Sequence, residues 1–283
     1  MKIGFIGQGW IGKHYADDFE KRQYDIVRYS IDYEYIENKE KISECDIVFI
    51  AVPTPTTPEG FDDSIVREVI KLVGDDMIAV IKSTIIPGAT ESIQKENPGI
   101  FVMHSPEFLR EASAAQDAAN PDRNVVGIPE YNKVYREKAQ RVIDVLPNAP
   151  YEKIMLSKDA ELVKYAGNCF LFMKVIYTNI LYDLVEKKGG NWDDIKNTFI
   201  ADPRIGNSHT DPVHKKGRGA GGHCFIKDFE AFREFYSNAV GNTYGDRILE
   251  AMKDENIRLL LDSAKDMDLL KGVYGDNYNN SKK

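Results

Sequence analysis

The chain has 283 residues, enough for two domains with a sizeable core. Its net charge is -8 and it carries no basic stripe, which argues against nucleic acid as a partner. No apolar run approaches the ~20 residues of a membrane span, Met1 and Lys2 lead into an apolar stretch with no signal-peptide pattern, and three cysteines without metal-ligand spacing make a reduced, cytoplasmic setting the expectation.

Lys2 to Ile6 predicts a strand that runs straight into Gly7-x-Gly9-x-x-Gly12, followed by a helix over 13–22. That order is the context a dinucleotide-binding fingerprint requires. Gly7 permits the tight turn, Gly9 lets the backbone approach a pyrophosphate, and Gly12 lets the helix pack on the strand. The helix N-terminus then turns its free N–H groups toward the phosphates. A second strand over 25–30 ends where such folds carry the residue that reads the adenosine ribose, an Asp or Glu about 20 residues after the glycines. Ser30 stands at the strand end and Asp32 two residues later, and either suits a 2′-hydroxyl. No Arg or Lys occupies positions 31–33, so a 2′-phosphate would lack a partner and NAD is favoured over NADP.

Further strands are expected at 46–51, 77–82, 100–103 and 124–128, with helical or loop segments between them. The continuous apolar run after Asp46 reads as a buried parallel strand. This alternation predicts an α/β fold: an N-terminal Rossmann domain over 1–156, built on a doubly wound parallel sheet. Three loops follow strand ends, where open α/β sheets bind ligands. They are Val52-Pro53-Thr54-Pro55, Ser83-Thr84-Ile85-Ile86-Pro87-Gly88 and Ser105-Pro106-Glu107-Phe108-Leu109-Arg110-Glu111. Singly, each also reads as a proline-punctuated turn with capping hydroxyls; three at one sheet edge favour a shared site.

The pattern changes near Leu156. Residues 158–188 read as one long helix stopped by Gly189-Gly190, and the rest reads as helical apart from a Gly-, Pro-, Asp- and His-rich loop over 201–223. An all-helical second domain over 157–283 follows, with a polar tail after Gly272 that is expected to fray and to be a natural chain end. Within this domain, Gly221-Gly222-His223-Cys224-Phe225-Ile226-Lys227-Asp228 sets a cysteine behind a glycine pair. Glycines admit a substrate close to the backbone and a nearby cation favours thiolate, so Cys224 is a candidate nucleophile. Paired with a dinucleotide fingerprint, it suggests oxidation through a covalent thio-adduct. Lys164 and Asn168 are one helical turn apart and share a face. Cys45 and Cys169 read as small buried apolar residues.

Taken in order, these stretches resemble the UDP-glucose/GDP-mannose 6-dehydrogenase family, and within it the UDP-glucose 6-dehydrogenases. The resemblance rests on Gly7-Gln8-Gly9-Trp10-Ile11-Gly12, Val52-Pro53-Thr54-Pro55, Ser83-Thr84 with Pro87-Gly88, and the 105–111 loop. It continues through Glu161-Leu162-Val163-Lys164-Tyr165-Ala166-Gly167-Asn168, Asp202-Pro203-Arg204-Ile205-Gly206 and the Cys224 stretch, spanning residues 1 to about 257. It implies a second domain of the 6-phosphogluconate-dehydrogenase type. It also implies oxidation of a nucleotide-sugar C6 alcohol to the carboxylate, UDP-glucose to UDP-glucuronate, for polysaccharide biosynthesis. Two hydrides pass to NAD, and Cys224 carries a thiohemiacetal and then a thioester that water cleaves.

The resemblance further implies roles for individual residues. Lys164 and Asn168 match a pair that stabilises oxyanion character. Asp228 and Thr84 match residues that hold the catalytic water, and Glu111 a carboxylate in acid–base or water-positioning roles. Glu107, Phe108, Leu109, Arg110 and Glu111, with Lys164, Asn168, Arg204, Gly221 and Gly222, match substrate-facing positions. Trp10, Ile11, Val52, Pro53, Thr54, Thr84 and Lys227 join the glycines and Ser30 or Asp32 around NAD. No metal is implied. The 158–188 helix matches the family's dimer element, implying a homodimer in which Arg204 reaches the partner's site.

Departures are as specific. Ala220 stands where an aromatic residue is usual, Ile226 where a proline is usual, and His223 where a smaller or aromatic residue is common. His223 either depresses the thiol pKa or fills the loop. The family's third domain, which grips the nucleotide diphosphate, has no counterpart in these residues. Three readings follow: a dehydrogenase active alone or with a partner chain supplying that domain, a catalytically impaired nucleotide-binding partner subunit, or a 3-hydroxyacid-dehydrogenase-like enzyme. The last shares the lysine–asparagine pair but needs no cysteine.

Overall fold

A computed structural model of the protein describes residues 1–276 and Tyr278. The chain forms two compact units, one of residues 1–54 and 62–164, the other of residues 55–61 and 165–283.

The first unit starts with β1 (Lys2–Ile6), α1 (Trp10–Lys21), β2 (Asp25–Tyr29), a 3-10 segment (Ile36–Glu44) and β3 (Ile47–Ile50). After the short hairpin of β4 (Thr56–Thr57) and β5 (Gly60–Phe61), which belongs to the other unit, it resumes with α2 (Ser64–Val69), β6 (Ile78–Ile81) and α3 (Ala89–Glu96). It ends with β7 (Phe101–His104), α4 (Ala114–Ala119), β8 (Arg123–Ile128), α5 (Lys133–Val145) and β9 (Tyr151–Leu156). The sheet order is β2-β1-β3-β6-β7-β8-β9. Strand β1 pairs in parallel with both β2 and β3, so the chain changes direction across the sheet at this point. Such a switch point opens the crevice in which α/β sheets bind dinucleotides.

Strands β3 and β6 are buried along their whole length, as central strands covered on both faces must be. Their side chains join Ile3, Phe5, Phe19, Met103, Val126 and Val142 in one core, with the Phe5 ring 5.2 Å from Phe19 and 5.3 Å from Phe49.

Two sheet features differ from expectation. Strand β8 runs antiparallel to β7, because the excursion between them holds a loop and the six-residue α4, which packs on α1, rather than a crossover helix on the sheet. Strand β9, parallel to β8, was not expected at all. It lies at the sheet edge, and its first three residues, Tyr151, Glu152 and Lys153, are exposed, so the apolar signal of a buried strand is missing.

The change of pattern near Leu156 marks the junction of β9 with α6 (Ser157–Lys188), and the compact units part within that helix, after Lys164. The second unit continues with α7 (Trp192–Ile200), β10 (Val213–His214), β11 (Gly217–Arg218), α8 (Gly222–Ala239), α9 (Tyr244–Asp262) and α10 (Met267–Tyr274). Its core contains Tyr165, Cys169, Phe172, Phe229, Leu249 and Leu259, with the Phe172 and Phe229 rings stacked at 3.8 Å. A second cluster joins Ile226 of α8 to Ile257, Leu260, Leu270 and Val273.

The 201–223 segment is not all loop: β10 and β11 pair as a hairpin whose turn is Lys215-Lys216, both at positive φ. Lysines give no hint of a turn that Asn and Gly normally occupy. Helix α10 runs past Gly272 to Tyr274 with Val273 buried, and the end of the tail expected to fray lies outside the described residues.

Candidate active site

In the first unit, the glycine loop is built without room for side chains. A Cβ on Gly7, at φ +89°, would sit 2.3 Å from the Ala51 carbonyl oxygen, and one on Gly12 would sit 1.9 Å from that of Gly7. A Cβ on Gly9 would meet nothing within 4 Å. Gly9 is also the N-cap of α1 and brings no side-chain acceptor to the first-turn N–H groups. A backbone cradle of this shape fits a pyrophosphate. Trp10 is exposed beside it and Ile11 half-buried. Ser30 and Asp32 are joined to each other: the buried Ser30 Oγ donates to Asp32 Oδ2 (2.9 Å) and accepts from the Asp32 N–H (3.2 Å), and Asp32 is exposed.

The loops after β3 and β6 are tied together. Ser83 Oγ donates to the Val52 carbonyl (2.7 Å) and accepts from its N–H (3.0 Å), and Thr54 Oγ1 donates to the Thr84 carbonyl (2.7 Å). Pro53 is exposed and Thr84 buried. Beneath them Lys82 is buried, its ammonium 3.0 Å from Ser105 Oγ and 4.4 Å over the Tyr15 ring. Burial brings its pKa down to about 7, and burial likewise holds the neighbouring His104 neutral, with a pKa of about 3.

The loop after β7 reaches α6. Lys164, buried rather than solvated, donates to Glu107 Oε1 (2.5 Å) and to the Glu107 carbonyl (2.9 Å). Glu107 Oε2 accepts from the Leu109 N–H (2.8 Å), so both carboxylate oxygens are engaged inside the protein. The Arg123 guanidinium lies 3.8 Å from the Phe108 ring centroid. Arg110 grips Asp117 with Nε and Nη2 at 3.1 and 2.5 Å, and this pairing holds the Asp117 carboxyl at about 2. Tyr15, Phe108, Leu109, Arg110, Asp117 and Arg123 are among the residues that line a cavity of about 210 Å³. Glu111 is exposed.

One residue of this region escaped sequence reasoning as a structural part. Glu161, wholly buried, accepts from the N–H groups of Gly88 (2.6 Å) and Thr90 (2.9 Å) and from Thr90 Oγ1 (2.6 Å), capping α3. Burial raises its pKa against the opposing pull of these donors. Its partners are more than 70 residues away, and no short-range pattern announces them.

In the second unit, Cys224 is exposed in the first turn of α8. Asp228, one turn on along the same face, is 1% exposed and accepts from Asn168 Nδ2 (2.6 Å) and from Lys227 Nζ (2.6 Å). The bond to Asp228 fixes the Asn168 amide with its nitrogen toward the carboxylate, leaving one N–H of that nitrogen for another acceptor. Lys164 and Asn168, read from sequence as one pair, thus each answer to a separate carboxylate. Thr56 Oγ1 donates to the Lys227 carbonyl (3.2 Å). His223 is exposed in the first turn of α8. Cys169 and Cys45 are buried as expected, and burial raises both thiols, Cys45 to about 11. Arg204 is exposed and paired with Asp202 at 2.5 Å. No helix among the described residues is long and apolar enough to cross a membrane.

Residues 33–144 match the UDP-glucose/GDP-mannose dehydrogenase family, NAD binding domain, and residues 158–257 match the central domain of the same family. A putative UDP-glucose 6-dehydrogenase of Bacillus subtilis is 30% identical over 237 residues, covering 80% of this chain and 54% of that protein. The UDP-glucose 6-dehydrogenase of Rickettsia conorii is 34% identical over 226 residues, covering 76% of this chain and 50% of that protein. The structure of a UDP-glucose dehydrogenase from Pyrobaculum islandicum aligns with a TM-score of 0.77 at 27% identity, over 91% of this chain and 68% of that one. The chain spans about half the length of the curated relatives it matches.

Proposed function

Because the chain belongs to the UDP-glucose/GDP-mannose dehydrogenase family, we propose that it oxidises the C6 alcohol of a nucleotide sugar of the UDP-glucose type to the carboxylate, with Cys224 as nucleophile. The observation that carries this reading is the exposed Cys224 one turn from a buried Asp228 clasped by Asn168 and Lys227. Bound NAD supplies the hydride acceptor for both oxidations. The Gly7–Gly12 loop, Asp32 and the tied loops at Val52–Thr54 and Ser83–Thr84 are the residues proposed to hold it.

In this mechanism Lys164, held in place by Glu107, and the fixed Asn168 amide stabilise negative charge on the reacting oxygen. The first oxidation yields an aldehyde. Cys224 Sγ then bonds to the aldehyde carbon, and the oxygen takes up a proton to give a thiohemiacetal. Loss of the second hydride and of that proton leaves a thioester. Water, held by Asp228, adds to the thioester carbon, the C–S bond breaks, and the carboxylate leaves with the thiol restored. Activity alone, or with a partner chain that grips the diphosphate, are the two forms of the proposal, and polysaccharide precursor supply is its biological setting.

A homodimer is part of the same proposal. Phe170, Tyr177, Ile180 and Leu184 are each more than half exposed on α6, at spacings that form one apolar stripe.

The test is NADH production with NAD and UDP-glucose, with and without a candidate partner chain. About two NADH per sugar is the expected yield. Cys224→Ser should stop turnover after the first oxidation. No NADH with any nucleotide sugar would sink the proposal, and full activity in Cys224→Ser would favour a hydroxyacid-dehydrogenase route instead.

A further inference from the structure

The backbone that leads into Cys224 is held by side chains far along the chain. The Arg218 N–H donates to Ser263 Oγ (3.0 Å), and Lys265 Nζ donates to the Gly219 carbonyl (2.9 Å). Asn256 accepts from the Ala220 N–H (2.7 Å) and donates to the Ala220 carbonyl (3.0 Å). The Gly222 N–H donates to Asp266 Oδ2 (2.7 Å). Ser263, Lys265 and Asp266 lie beyond residues 158–257, the stretch matched to the family's central domain.

The last of these bonds bears most directly on the thiol. Gly222 is the first residue of α8, and the N-cap, Gly221, has no side chain to take up the orphan N–H groups of the first turn. Asp, Asn, Ser or Thr normally does this from the N-cap itself. Here the carboxylate arrives from 44 residues away. It occupies the space a side chain on residue 221 would need, since a Cβ there would sit 2.0 Å from Asp266 Oδ2. Asp266 adopts a left-handed conformation, φ 54° and ψ 35°, which is costly for most side chains and least so for Asn and Asp. The packing of Leu270 and Val273 on Ile226 holds the adjoining α10 against the cysteine helix.

We infer that Asp266 is a positioning residue for Cys224: from further along the same chain it supplies the side-chain acceptor at the start of α8 that Gly221 lacks, and it fixes the turn that presents the thiol. The inference concerns the frame and charge around Cys224 and goes beyond the proposed oxidation. It is testable without any substrate.

The experiment measures iodoacetamide alkylation of the intact protein against pH, with Cys224→Ser as the blank, since Cys45 and Cys169 are buried. Asp266→Asn keeps an acceptor, tolerates the left-handed backbone and removes the charge. Asp266→Ala removes both acceptor and charge. Loss of a negative charge beside the first turn is expected to move the alkylation midpoint down by roughly half a pH unit in both variants. Only Asp266→Ala should change the limiting rate at high pH, by about twofold or more, and Asp266→Asn should restore it. A wild-type alkylation profile in both variants overturns the inference, whatever their melting temperatures.

Discussion

Lys164 and Glu107 form an ion pair almost sealed from water, with Nζ 2.5 Å from Oε1 and the two side chains 6% and 5% exposed. Removing one member of such a pair leaves a buried charge without its counterion. Glu107→Gln is expected to cost about 3–5 kcal/mol in chemical denaturation. The double variant Glu107→Gln/Lys164→Met should cost less than the sum of the two single changes. Strict additivity would mean that the two side chains do not depend on each other.

Lys82 makes stability depend on pH in a definite direction. Its folded pKa is about 7, below the ordinary 10.5. Between those values the unfolded chain binds a proton that the folded chain does not, so stability rises with pH across the window, and the full cost is present below about 7. Lys82→Met is therefore expected to stabilise the protein by a few kcal/mol near neutral pH, with the gain shrinking towards pH ~10. Denaturation midpoints at the two ends of the window check this; a gain that does not vary with pH would refute a lysine buried in the neutral form.

Two glycines of the first loop separate folding from binding. A Cβ on Gly12 collides with the Gly7 carbonyl at 1.9 Å, whereas one on Gly9 meets nothing within 4 Å. Gly12→Ala should lower both the melting temperature and NAD affinity, at a cost of about 1–3 kcal/mol in stability. Gly9→Ala should leave stability within about 0.5 kcal/mol of wild type yet weaken NAD binding about tenfold or more, because its methyl group takes the space of the pyrophosphate. Calorimetric titration with NAD alongside melting curves distinguishes the two. Wild-type affinity in Gly9→Ala would remove the pyrophosphate from this loop.

The apolar stripe on α6 sets the expected assembly. Ile180→Asp with Leu184→Asp should convert a dimer to a monomer in light scattering without lowering the melting temperature of the monomer, since both side chains are already exposed in the single chain. A wild-type protein that is monomeric at all accessible concentrations would overturn the dimer proposal.

Local patterns carried much of the architecture. The apolar run from Ile47 to Ile50, the glycine spacing at residues 7, 9 and 12, and the uninterrupted helical stretch ending before Gly189 each predict an element the structure contains. They do so because side-chain periodicity and glycine's steric freedom act within a few residues. The same reading missed β9, whose exposed polar residues lack a buried strand's signature, and the Lys215-Lys216 turn, where residue type and backbone conformation disagree. Above all it missed how the site residues are paired. Lys164 meets Glu107 across 57 residues, Asn168 meets Asp228 across 60, and Gly222 meets Asp266 across 44. Residue types alone determined which groups the proposed dinucleotide binding and thiol chemistry draw on. Which carboxylate holds which donor was decided only by the tertiary structure, because a buried charge takes the partner that packing brings within hydrogen-bond reach, and that distance is not written in the spacing along the chain.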